Sequence, residues 1–238
     1  MRYPFLTAAL FLCCLTTRSQ QVVNVNSDNF SFTNRNNTDI SGMVHQPIKF
    51  VKITAGTPFF NDQWMKARLF DGNGESYASH SVRLNLLDND VSFLDADGTE
   101  MVCTIPVKKI LLTDTTTGTQ YLFVLGDQVP DVDKAQAGVW LQVLVNNSVS
   151  LCRQTKKTIH ETLPYGATTT EDEIISADIY FVRMNGNFIR LKKWSDLLQL
   201  FTDKKDAIYQ YIRNHHLNGK SGDDYTQLVQ YYNSIKSV

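Results

Sequence analysis

The chain has 238 residues, 42% of them apolar and 20% charged, with a formal net charge of -1 at pH 7. That length allows one large domain, or one domain with a small appendage, and a core that needs neither metal nor disulfide. The near-zero charge excludes bulk attraction to nucleic acid or to anionic membranes, and a surplus of Asn, Gln, Ser and Thr points to strands and turns rather than long charged helices.

Residues 1–19 read as a signal peptide. Arg2 supplies the positive start, and "FLTAALFLCCLTT" (Phe5 to Thr17) is an apolar run too short to span a bilayer. Thr17-Arg18-Ser19 is a small-x-small cleavage site, so the mature chain is expected to begin at Gln20 or Gln21. Cys13 and Cys14 raise a lipoprotein alternative, but Leu12 stands where a small residue normally precedes a lipidated cysteine. No later stretch is apolar for long enough to make a transmembrane helix. The expectation is an exported protein of the periplasm or cell surface.

Residues 20–45 are a polar lead-in, in which "VVNVN" and "FSF" alternate enough for a short edge strand. Residues 46–193 are expected to form a β-rich domain. "IKFVKI" (Ile48 to Ile53) reads as a strand, and "FFNDQWMKARLF" (Phe59 to Phe70) passes from aromatics into alternation. After the "DGNGE" turn, "HSVRLNLL" places Val82, Leu84 and Leu86 on one face and Arg83 and Asn85 on the other. "TEMVCTIPV", "KKILLTD", "TQYLFVLGD" and the two halves of "VWLQVLVNNSVSLCRQTKKTI" continue the strands. "HETLPYGATTTEDEIISA" reads as a polar excursion, and "DIYFVRMNGNFIRLKK" as a hairpin turning at Asn185-Gly186. The class is α+β: a mostly antiparallel meander, as sandwich, curled sheet or barrel, followed by a C-terminal helical hairpin. Residues 194–238 supply that helical segment. Ser195 is the expected cap of its first helix, Thr202 or Asp203 of the second, and Ser221 of the third.

Asp88, Asp90, Asp95, Asp97 and Glu100 crowd around Gly98. A calcium EF-loop aligned on Gly98 would place Phe93 at the first ligand position and Thr104 where the bidentate Glu belongs. Two hairpin turns, "DND" and "DADG", fit better than a cation loop or a catalytic carboxylate pair. Cys103 and Cys152 remain after signal removal, either as a disulfide or as two buried thiols. The histidines give no HExxH spacing, and there is no G-x-S-x-G elbow, phosphate-binding loop or CxxC, so no catalytic residue, metal or cofactor is assigned. Among the aromatics, Trp64 and Trp140 stand beside loops and are the candidate ligand-binding side chains. N-x-[ST] sequons begin at Asn29, Asn36 and Asn146. Asp114-Thr115-Thr116 resembles the short O-glycosylation acceptor motif of exported Bacteroidota proteins.

"TPFFNDQWMKARL", "RLNLLDNDVSFLDADGTEM", "ETLPYGATTTEDE" and "DKKDAIYQYIRNHHLNGKSGDDYTQLVQYYN" together resemble an uncharacterised family of exported Bacteroidota proteins. The resemblance spans most of the mature chain and implies a periplasmic or cell-surface setting. It implies no activity and no site residues. The expected function is a non-catalytic binding or structural module, with an envelope protein or glycan as partner. The alternatives are a hydrolase acting on envelope material and a small-molecule-carrying β-barrel, which would need a closed barrel with an apolar cavity.

Overall fold

The computed structural model describes residues 37–38, 40–45, 53–130, 132–163 and 170–236. The expected signal peptide, "VVNVN", "FSF", most of "IKFVKI", and the sequon asparagines Asn29 and Asn36 lie outside the described residues.

Among the described residues, three short strands come first: β1 (Asn37–Thr38), β2 (Gly42–Val44) and β3 (Ile53–Ala55). A meander follows in β4 (Met65–Asp71), β5 (Ser76–Asn85), β6 (Asp90–Leu94) and β7 (Glu100–Cys103). The chain then returns to the other side of β4 as β8 (Val107–Thr113). A second meander runs outward through β9 (Gln120–Leu125), β10 (Trp140–Val145), β11 (Ser150–Thr162), β12 (Glu171–Met184) and β13 (Asn187–Leu191). The sheet order is β13-β12-β11-β10-β9-β8-β4-β5-β6-β7-β2, with β1 parallel to β5 and β3 parallel to β12. This is one mixed, mostly antiparallel sheet that does not close. Of the three expected arrangements, the curled sheet is the one found, and the closed barrel that a carrier would need is not.

The curl follows from a short link. β7 and β8 run in the same direction and are separated by β6, β5 and β4. In a flat sheet, four strand spacings would put them ~19 Å apart. Only Thr104, Ile105 and Pro106 join them, and the four Cα steps from Cys103 to Val107 reach at most ~15 Å. The strands between must therefore roll. The Val107 N–H donates to the Ile105 carbonyl at 2.7 Å, a tight bend at the link. A bulge where Met65 pairs with Val82 but Ala67 with Ser79 adds curvature. The stretch "TEMVCTIPV", expected to continue as a strand, is broken between Cys103 and Val107, where Pro106 has no N–H for a ladder.

Rolling makes one face concave and fills it. Val82, Leu84 and Leu86 point inward as their alternation implied, and join Leu69, Ile110, Leu112, Phe123 and Trp140 in one cluster. Beyond β10 the inner face is covered by the helices α1 (Trp194–Leu200), α2 (Lys205–His215) and α3 (Gly222–Lys236). Leu151, Val182 and Leu191 of the sheet pack there with Leu197, Phe201, Ile208, Leu228, Val229 and Tyr232. The helices therefore share a core with the sheet. Loop residue Val129 and strand residues such as Leu122, Val143, Cys152 and Phe181 make a third cluster.

Local details depart from expectation. α1 begins at Trp194, and Asp196, not Ser195, takes the free N–H groups of Lys192 (2.9 Å) and Lys193 (3.2 Å). A 3-10 turn, Thr202–Lys204, precedes α2, and Asp203 accepts the Tyr232 hydroxyl instead of capping. Ser221 does serve α3, accepting the Asp224 N–H at 3.2 Å. Asn185 (φ 53) and Gly186 (φ 80) form the expected hairpin turn. The "polar excursion" is instead two strand arms, paired from Ser150↔Arg183 to Thr162↔Glu171. Polar residues on both faces of these arms hid the period of two. Gly56 (φ 79) lets β3 approach β12, since a Cβ there would lie 2.1 Å from the Ile174 carbonyl oxygen. Among the described residues, no helix is long and apolar enough to cross a membrane.

Asn233 ties α3 to the sheet. Its carboxamide accepts from the Ser148 hydroxyl (2.8 Å) and the Val149 N–H (2.9 Å), and donates to the Val149 carbonyl (2.8 Å). Both Val149 and Asn233 are buried. Asn233→Ala leaves those backbone groups unpaired in the interior and is expected to cost about 2–3 kcal/mol. A urea titration checks this: a lowered midpoint with unchanged slope is the expected outcome.

Candidate functional site

The inner face is apolar along most of its length, and one interval of it is polar. Alternate residues of β11 put Arg153, Thr155 and Lys157 on the same side. The β12 register places Asp178 opposite Thr155 and Ser176 opposite Lys157. Across the gap stand Phe60 and Leu86. Their segments are held together by the Phe60 N–H donating to the Leu84 carbonyl and the Leu86 N–H donating to the Pro58 carbonyl, both at 2.8 Å. Phe60 also meets Tyr121 and Phe123 edge-on, at 5.0 and 4.9 Å between ring centres, which fixes the wall across the curl. These side chains enclose an open cleft of about 310 Å³.

A hydrogen-bond network orders the β11–β12 wall. The Thr155 hydroxyl donates to Asp178 Oδ1 at 2.6 Å, and Arg153 Nη1 lies 3.3 Å from Asp178 Oδ2. Arg153 Nη2 donates to Gln142 Oε1 at 2.6 Å. Asp178 is thus engaged on both oxygens and Arg153 is held by two neighbours. Lys157 differs: among the described residues, no carboxylate lies within ion-pairing distance of its ammonium. Partial burial pushes Lys157 below the ordinary lysine value, while the carboxylates of Asp62 and Asp178 pull it back up. The lining holds neither His nor Cys, and its one carboxylate already serves Arg153 and Thr155. The arrangement is suited to holding a ligand by charge, hydroxyl and apolar wall.

The structure does not bring the two expected tryptophans together, nor place either in this cleft. Trp140 is 3% exposed, packs in the main core cluster, and donates its indole N–H to the Asn89 carbonyl at 3.1 Å. As a correction to its expected place at a groove, it presents no ring face to solvent; the loop beside it in sequence does not uncover it. Trp64 is half-buried. Its ring and that of Phe59 flank the Arg83 guanidinium at 4.0 and 3.9 Å, and Arg83 Nη2 donates to both Glu100 oxygens at 2.9 Å.

The acidic stretch is made of turns. Asp95 Oδ1 accepts the N–H groups of Asp97 (2.9 Å) and Thr99 (2.8 Å), and Gly98 takes φ 79. Asn85 Oδ1 accepts from Leu87 and Asp88, and Asn89 takes φ 61. The carboxylates of Asp95 and Asp114 each bind backbone two residues on, at the tips of hairpins. Thr115, in the acceptor-like motif, is exposed, whereas Asn146 of the third sequon is buried.

Sequence reasoning passed over Arg153, Thr155, Lys157, Ser176 and Asp178. The available signal was the polar alternation within "CRQTKKT", which is unlike a strand packed on both faces. Comparison with protein-family models, with curated proteins and with solved structures found no match.

Of the two expected states, Cys103 and Cys152 take that of free thiols, and the candidate disulfide is not formed. They lie on β7 and β11, with six strands between them in the sheet, and pack in different clusters. Burial pushes the Cys152 thiol up to about 12, and burial likewise raises half-buried Cys103. With iodoacetamide at pH 8, Cys103 is expected to react first and Cys152 only after urea unfolding. Peptide mapping checks the order; a Cys103–Cys152 linked peptide in an unreduced digest would contradict it.

Proposed function

We propose that this is an exported envelope protein acting as a non-catalytic binding module, with the inner-face cleft as its ligand site. One observation carries the reading. Arg153, Thr155, Lys157, Ser176 and Asp178 gather on one face of β11 and β12 opposite Phe60 and Leu86, on strands whose Leu151 and Val182 pack in the apolar core. Partly buried charge costs stability unless it is paired or used. Departures from the packing pattern concentrate at functional sites. The export signal read in the sequence supports the location, and the polar, open character of the cleft supports a polar ligand or partner group.

The test is retention. The tagged protein is equilibrated with an extract of its own cell envelope, desalted, and examined by native mass spectrometry. A retained low-mass species is expected with the unchanged chain, and its loss with Ser176→Trp, which fills the cleft from the exposed β12 side. Equal retention by both, or by neither, would contradict the assignment of the cleft. Fractionation of the source cells is expected to recover the protein with the envelope; recovery in the cytoplasm would contradict export.

A further inference from the structure

We infer that the cleft takes a small monoanion with an apolar body, a carboxylate in the simplest case, with Lys157 receiving its charge. The inference rests on the reading of the cleft as a ligand site and adds the ligand's chemical class.

The charges decide the head group. The cleft wall carries Arg153, Lys157 and Asp178. Arg153 and Asp178 neutralise one another at 3.3 Å, and each has a further hydrogen bond at 2.6 Å, Asp178 from Thr155 and Arg153 to Gln142. Lys157 is left with no carboxylate in ion-pairing reach among the described residues. Asp62 and Asp178 both act on it through space, but Asp62 is hydrogen-bonded by the Thr57 hydroxyl and Asp178 by the groups just named. A half-buried ammonium without a partner is a poor structural element and a good anion receptor. The cross-strand neighbour Ser176 supplies a hydroxyl beside it, with no partner of its own among the described residues. One ammonium and one hydroxyl match the two oxygens of a carboxylate. A dianion would meet the same Lys157 and also the repulsion of Asp62 and Asp178, so a single negative charge fits better.

The opposite wall decides the rest of the molecule. Phe60 and Leu86 face the polar strands across the gap, and both belong to the apolar packing of the curl. A ligand whose head reaches Lys157 and Ser176 lays its body against these two. The cleft volume of about 310 Å³ restricts that body to a small one.

The experiment uses the full chain and three probes of one shape: 3-phenylpropionate, its neutral amide, and 2-phenylethyl phosphate. Binding is followed by amide chemical shifts of residues 153–157 and 176–178. The carboxylate is expected to bind in the millimolar range or better, and at least ten-fold tighter than the amide. Lys157→Met, which keeps the aliphatic stem, is expected to lose that preference, and Lys157→Arg to restore it. Unchanged thermal melts show that the variants fold. Tighter binding of the amide or of the phosphate, or an undiminished preference in Lys157→Met, would overturn the monoanion assignment. So would the absence of any carboxylate-dependent shift. If envelope extract still leaves a species in the cleft in those cases, the binding reading stands and only the ligand class falls.

Discussion

Three residues between β7 and β8 constrain the whole molecule. They connect strands that run in the same direction on opposite sides of β4, β5 and β6, and they can do so only if those strands roll. The roll turns one face of the sheet inward. It brings the Pro58–Phe60 segment, bound to the end of β5, over the aromatic rings of β9. The same curvature sets Phe60 and Leu86 opposite β11 and β12 and so creates the cleft.

A concave face has to be filled along its length, because its apolar residues gain stability only when removed from water. The rolled strands fill the part around β4 to β10. The helices fill the part from β10 to β13, where Phe201 and Tyr232 stack at 3.8 Å and Tyr180 and Tyr225 at 4.3 Å. Gly219 (φ 72) allows the turn before α3 to lie on Trp194, since a Cβ would fall 2.4 Å from its ring. Between the two fillings, the Gln142–Arg153–Asp178–Thr155 network replaces apolar contact with fixed hydrogen bonds. Among the described cleft residues, Lys157 and Ser176 stand outside that network.

Much of this architecture was legible from local chemistry. Asn185-Gly186 announces its turn because both positions take positive φ, and the alternation of Val82, Leu84 and Leu86 announces its inner face. Asp95 marks a turn because a carboxylate can accept backbone N–H groups two and four residues ahead. The curl was not legible, since it depends on which strands flank β4, and hairpin spacing alone suggests one continuous meander. The cleft was less so. Lys157 and Ser176 are neighbours only through the β11–β12 register, and Phe60 joins them only through the roll. Trp140 misled because a loop precedes it, while its indole is held inside by the Asn89 carbonyl from a distant turn.

Strands and helices are two fillings of one concave face, and so one cooperative structure. Native-state hydrogen exchange of the full chain tests it most directly. The slowest amides of α3, at Leu228 and Val229, are expected to open with the same free energy and denaturant dependence as those of Leu69 in β4 and Leu151 in β11. Exchange of the α3 amides through a cheaper opening, with the sheet still protected, would show that the helices only rest on a sheet able to stand without them.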